Sequence, residues 1–293
     1  MSIAIVTDSS ARFIRPSLIH QLNVHVLPNT IEIGRHRLQE GPDFVLDDLL
    51  RLMADPHATP RILPPTAAAY AALYRQLVRT HTAIVSIHPS RELSKSFDHA
   101  RAAAAQVQAT TCPITVVDSR TICAAQGVVV RLAAELAQSE TPLPDLLDAV
   151  RSALERVYSV YYVETLEYLR RSGIIADSRA VLGSLLGIKP LLTIQDGQLK
   201  VMEKVRTRGQ AIDQLVEFLT EFDAIEETVI LQARSGMTEQ VRMIQERLNA
   251  DWGGHPVSFA TYCAAVAVLL GADAGGVVVF ESEYIYDDDF SEN

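Results

Sequence analysis

Four short runs of β-branched and apolar residues, at 3–7, 24–27, 83–87 and 114–117, constrain the first half of this chain more than any other feature. Each is nearly continuous in its apolar character rather than alternating, which is the pattern of a strand covered on both faces inside a parallel sheet. Helical periodicity fills the intervals, over 45–53, 66–79, 93–107 and 123–138, with Tyr70, Leu73 and Leu77 on one face of the second stretch. Strand and helix in alternation predict an α/β layer architecture with these four strands in one parallel sheet. Pro56, Pro60, Pro64 and Pro65 mark a loop that no helix can cross.

The second half has a different rhythm. A polar, proline-containing turn at 139–145 precedes a helix at 146–157, and the domain change is expected there, giving domains of 1–155 and 156–293. Beyond it the pattern predicts strands at 160–163, 191–194, 199–205, 229–233, 257–260 and 277–280, and helices at 166–171, 181–186, 209–222 and 238–248. Asp196-Gly197 is a strong hairpin signal between two of those strands. The expectation is therefore an N-terminal parallel α/β domain followed by a C-terminal α+β domain, with an acidic, frayed tail at 281–293.

Composition removes several classes of function. With 293 residues, 48% of them hydrophobic and 21% charged, the chain can bury the cores of two domains. Its 26 Lys and Arg against 36 Asp and Glu leave a net charge of -10, the wrong sign for displacing counterions from nucleic-acid phosphates. The eight histidines are scattered and none stands in zinc-binding spacing, so no metal and no cofactor are expected. Cys112, Cys123 and Cys263 are odd in number and far apart, which fits a reducing compartment. With no charged-then-apolar leader and no run approaching about 18 apolar residues, a soluble cytoplasmic protein without stable membrane insertion is expected. The most apolar segment, 264–270, reads as a buried strand or helix.

Polar residues gather where open α/β sheets place their ligands, beyond the carboxyl ends of strands. Thr7-Asp8-Ser9-Ser10 ends the first strand, and Val116-Val117-Asp118-Ser119 ends the fourth. Ser90-Arg91-Glu92-Leu93-Ser94 follows the third strand and opens a helix, where N–H groups and hydroxyls form a natural anion cradle. The plainer alternative is that these hydroxyls cap helices and tie down loops. There is no Gly-x-Ser-x-Gly elbow, no P-loop and no Gly-x-Gly-x-x-Gly after the first strand, so catalysis is not expected.

The stretch Tyr168-Leu169-Arg170-Arg171-Ser172-Gly173-Ile174-Ile175, running on through Leu182-Gly183-Ser184-Leu185-Leu186-Gly187-Ile188-Lys189-Pro190, resembles the central signature of the DegV family of bacterial fatty-acid-binding proteins. Lys204-Val205-Arg206-Thr207 and the Asp-Ser pairs above are similar to further elements of that family, and the resemblance extends from Val6 to about Phe280. It implies a fatty acid or related lipid held between the two domains, and a fatty acid kinase subunit as the partner to which the lipid is presented.

The same resemblance implies a degenerate carboxylate clamp. Ile174 stands where the family has an arginine facing the lipid carboxylate, Ile62 and Leu63 replace a hydroxyl pair, and Leu269 replaces a histidine. Ser9, Ser90 and Ser94 are retained, while Arg91 replaces a serine. These eight residues are the expected ligand-binding set. A buried carboxylate is costly unless paired and hydrogen-bonded, whereas each buried methylene of an acyl tail contributes about 0.8 kcal/mol, so affinity for the tail can outlast the clamp. Arg91 or Arg171 swinging in as a substitute counter-ion is the alternative. Two other readings stand beside lipid binding: an enzyme or binder for a small hydroxylated or phosphorylated metabolite, using Asp8, Ser9, Asp118 and Ser119, and a scaffold with a vestigial pocket.

Overall fold

The computed structural model describes residues 2–107, 111–172, 187–234, 236–252 and 257–283. Four parallel strands form the first sheet in the order β2 (His25–Leu27), β1 (Ile3–Asp8), β6 (Ala83–His88) and β7 (Ile114–Asp118). Successive side chains of a strand face opposite ways, so Ala4, Val6 and Ile84 pack against α3 (Ala67–Leu77) and α4 (Ser96–Val107). Ile5, Val85 and Ile87 pack on the other side against α5 (Ala124–Gln138) and α6 (Leu143–Glu155). Coverage on both faces is why these strands read as continuous apolar runs rather than alternating ones.

The second sheet is mixed and has six strands, in the order β10 (Gln198–Val205), β9 (Lys189–Gln195), β8 (Val157–Tyr162), β13 (Gly275–Glu281), β11 (Ile225–Gln232) and β12 (Val257–Thr261). Only β11 and β12 run parallel. The hairpin expected at Asp196-Gly197 joins β9 to β10, and both residues take positive φ, 54° and 79°, as a type I′ turn demands. One face of this sheet is covered by α8 (Arg208–Thr220) and α9 (Glu239–Trp252). A capping box between Thr207 and Gln210 starts α8. The helix expected at 181–186 and the tail from 284 onward lie outside the described residues.

The other face of the second sheet meets elements from the first part of the chain. A small antiparallel sheet of β4 (His36–Gln39), β3 (Thr30–Ile33) and β5 (Arg61–Leu63), with α2 (Leu46–Met53), shares one core with Tyr161, Leu192, Val229 and α10 (Ala264–Leu270). Strands β3 to β5 are absent from the sequence reading. They are four residues or fewer, and β5 sits between Pro60 and Pro64, where a three-residue edge strand is all that the prolines allow. Residues 264–270, read as strand or helix, form the helix. Among the described residues no helix is long and apolar enough to cross a membrane.

A cavity and a sealed polar cluster at the strand ends

The carboxyl ends of β1 and β6 feed two polar regions of opposite character. Behind the sheet, beneath α3 and α4, Asp8 is fully buried and accepts from Nδ1 of His88 at 3.2 Å, from the Ser96 hydroxyl at 2.5 Å and, through its other oxygen, from the Ser10 amide at 2.9 Å. Ser86 lies 2.7 Å from Nε2 of His88 and accepts a hydrogen bond from Tyr74 at the same distance. Burial alone would raise the Asp8 carboxyl, but the His88 hydrogen bond and charge, with Ser96 and Ser10, outweigh it and hold the group below its ordinary value. Burial drives the hydroxyls of Tyr70 and Tyr74 the other way, so both stay protonated donors.

Ser86, His88 and Asp8 thus fall in the order of a hydrolytic triad, and the arrangement is nonetheless structural. All three are 0% exposed and none borders the cavity described below, so no substrate carbonyl can reach Ser86. A second saturated group joins the lobes. Glu40, 5% exposed, accepts from the Ser9 hydroxyl, from Asn29 and from the Ala264 amide at the start of α10, with Arg12 at 4.0 Å. Burial raises the Glu40 carboxyl despite those partners.

In front of the strand ends lies a cavity of about 630 Å³, inside the roughly 300–1,000 Å³ range of small-molecule sites. Its floor is apolar, with Ile62 from β5, Leu93, Ile122 just before α5, and Ala265, Val268 and Leu269 from α10. Its rim is cationic, with Arg61, Arg91, Lys95 and Arg171 against Glu92, on a molecule whose net charge is -10. Arg91 is loosely held, 3.6 Å from Asp98 with 48% of its side chain exposed. Arg171 is 13% exposed and committed, to Glu167 at 3.1 Å and to the carbonyl oxygens of Asp55 and Ala58. Arg61 has no ion-pair partner among the described residues.

Of the eight residues expected at the ligand, the cavity brings together Ile62, Arg91, Ser94 and Leu269. Ser94 accepts from the Ser96 amide at the start of α4, and its own hydrogen has no acceptor among the described residues. Leu63 is turned away from the cavity lining, on the strand position opposite Thr30. Ser9 is buried in the Glu40 cluster, and its neighbour Ser10 takes the place at the wall. Ser90 is 0% exposed and donates to the Gly197 carbonyl at 2.6 Å, tying the β9–β10 hairpin to the first lobe. A Cβ on Gly197 would lie 2.6 Å from that hydroxyl, so the contact needs the glycine. Ile174 lies outside the described residues. Asp118 and Ser119 are used within their own turn, on Arg120 and Thr121.

Sequence reasoning missed Ser10, Arg61, Lys95, Ile122, Ala265 and Val268 at this wall. The doubled serine after Asp8 and the two cations flanking the Pro60 and Ser94 positions are the available signals. The apolar three carry none, because a cavity lining and an ordinary core look alike in sequence.

A family profile described as "Uncharacterised protein, DegV family" matches residues 2–282. The chain belongs to the DegV family. Among DegV relatives, a DegV domain-containing protein of Streptomyces coelicolor is 34% identical over 218 residues, which span 73% of this chain and 75% of that protein. Protein DegV of Bacillus subtilis is 28% identical over 280 residues, 94% and 98% of the two chains. The solved structure of Bacillus subtilis DegV, described as a fatty acid binding protein, superposes with a TM-score of 0.83 at 27% identity, covering 96% of this chain and all of that one. A DegV family protein of Streptococcus agalactiae, at 23% identity and a TM-score of 0.87, shares the fold.

Proposed function

We propose that this DegV protein binds a fatty acid, holding one acyl chain in the cavity between an N-terminal lobe of 1–155 and a C-terminal lobe of 156–293. The observation that carries the reading is the division of the cavity into an apolar floor and a cationic rim with an uncommitted hydroxyl donor at Ser94. At about 0.8 kcal/mol per buried methylene, a long tail gains on the order of 10 kcal/mol before ordering costs. The fatty acid binding described for Bacillus subtilis DegV supports the same class of ligand.

The clamp in this proposal is rebuilt from the rim rather than lost. Arg91, whose present ion pair is loose and half-exposed, is the counter-ion that can turn to a carboxylate without breaking a buried contact, with Ser94 donating beside it. Arg171 would first have to leave Glu167 and two carbonyl oxygens. Presentation of the bound lipid to a kinase subunit is the use that the family resemblance implies, and it forms part of the proposal.

Organic extraction of the purified protein followed by mass spectrometry should release fatty acid, and calorimetric titration of the stripped protein with palmitate should show one site. An empty extract together with no heat of palmitate binding would sink the reading. Ile174→Arg restores the residue type that the family resemblance implies there, and palmitate should then bind more tightly.

A further inference from the structure

Cys123 and Cys263 lie 140 positions apart in sequence, yet the Cys263 amide points at the Cys123 sulfur at 3.4 Å. Each cysteine immediately precedes a helix, α5 and α10. Arg12 holds the two turns together. Its amide donates to the Cys123 carbonyl at 3.0 Å, and its guanidinium grips the Tyr262 carbonyl at 3.0 and 2.9 Å. Gly127 allows this approach, since a Cβ there would fall 1.8 Å from the Arg12 carbonyl oxygen.

The two sulfurs are not equivalent. Cys123 has φ 63° and ψ -130°, a conformation rare outside glycine and characteristic of strained functional turns between a strand and a helix. Burial pushes its thiol up, but the thiol and amide of Cys263, the Arg12 charge and the Ala124 amide together bring it below the ordinary value. Burial, the Cys123 sulfur and Glu40 drive the Cys263 thiol well up. The two thiols are thus driven in opposite directions by their surroundings. The adjacent Tyr262 hydroxyl is buried without a hydrogen-bond partner.

We infer that Cys123 and Cys263 form a reversible redox pair, in which a hydroperoxide oxidises Cys123 and Cys263 closes a disulfide between the lobes. The Cys123 thiolate attacks the peroxide, an S–O bond forms as the O–O bond breaks, and the departing oxygen takes a proton. Sulfur loses two electrons and the peroxide gains them. Cys263 then attacks the sulfenic sulfur, the S–S bond forms, the S–O bond breaks, and water leaves with the Cys263 proton. Both cysteines are 0% exposed, hydrogen peroxide is the size of water, and Ile122 and Ala265, one and two positions away from them in sequence, line the cavity. Sulfurs in a disulfide stand about 2.05 Å apart, closer than any non-bonded pair, so closure draws the start of α10 toward the start of α5 and moves two residues of that wall. The effect on the ligand rests on the fatty-acid reading above, whereas the disulfide itself does not.

Full-length protein stripped of lipid, treated with hydrogen peroxide and mapped by mass spectrometry, should lose two hydrogens, show a single 123–263 cross-link, and regain both thiols on reduction. Cys112, buried in the separate core under α3 and α4, should stay free for alkylation. In Cys263→Ser the expected product is a dimedone-trapped sulfenic acid at Cys123 without a cross-link. Three free thiols after a treatment that oxidises glutathione, oxidation of Cys112 ahead of the pair, or an unresolved sulfenic acid in the wild-type protein would each overturn the pair. The cross-linked form should bind palmitate with an affinity changed by about fivefold or more. Unchanged palmitate affinity in fully cross-linked protein would overturn the coupling, and no palmitate binding in either form would instead count against the fatty-acid reading.

Discussion

Asp8 and Ser94 belong to opposite kinds of polar site. Asp8 faces a closed cluster in which both its oxygens are engaged, whereas Ser94 stands at an open cavity with a hydroxyl hydrogen that has no acceptor among the described residues, beside the loosely held Arg91. The contrast teaches where to look for function. A polar group whose partners are complete serves the fold, however much its geometry resembles a catalytic one, and a group with capacity left over can meet a ligand.

The largest effect should come from breaking the closed side. Asp8→Ala leaves His88, Ser96 and the Ser10 amide without their shared acceptor and should lower unfolding stability by about 3–5 kcal/mol, measured by urea denaturation. Because the folded-state Asp8 pKa lies below its ordinary 3.8, its contribution is complete above that value and is lost as pH falls through the folded pKa. The acid-unfolding slope below pH ~4 should therefore flatten in Asp8→Ala. An equal slope in wild type and variant would remove Asp8 from the account.

Filling the open side comes next. Ala265→Trp on the cavity wall should weaken palmitate binding by about 2 kcal/mol or more in calorimetry, with the protein still folded by circular dichroism. Arg91→Gln should cost about 1.5–3 kcal/mol of fatty-acid affinity and flatten its dependence on ionic strength, while a fatty alcohol of the same length is bound as before. If acid and alcohol lose affinity equally, Arg91 is not the counter-ion.

The smallest pair sharpens the comparison within one loop. Ser94→Ala should cost about 0.5–1.5 kcal/mol of palmitate affinity with little change in stability, and Ser90→Ala should do the reverse, because only Ser90 bonds across the lobes to Gly197. The opposite assignment would exchange the roles of the two serines.

Much of the architecture was legible. The runs at 3–7, 83–87 and 114–117 mark a parallel sheet because helices cover both its faces, and Asp196-Gly197 marks a hairpin because its turn requires positive φ. β3, β4 and β5 were not legible, since strands of three or four residues among prolines and charges have no period of their own and exist only by pairing with each other. The cavity lining was legible in part. Ser94, Arg91, Ile62 and Leu269 could be named, but Ser9 and Ser90 could not be told from Ser10 and Ser94 until their partners Glu40 and Gly197 were in place.

By itself, the order of residues determined the longer strands and helices, because periodicity and turn chemistry are local. The folded chain alone decided which polar groups are saturated and which remain open. It also brought Glu40 to the start of α10 and Cys123 to Cys263, because those partners lie as many as 224 residues apart and only packing of the two lobes makes them neighbours.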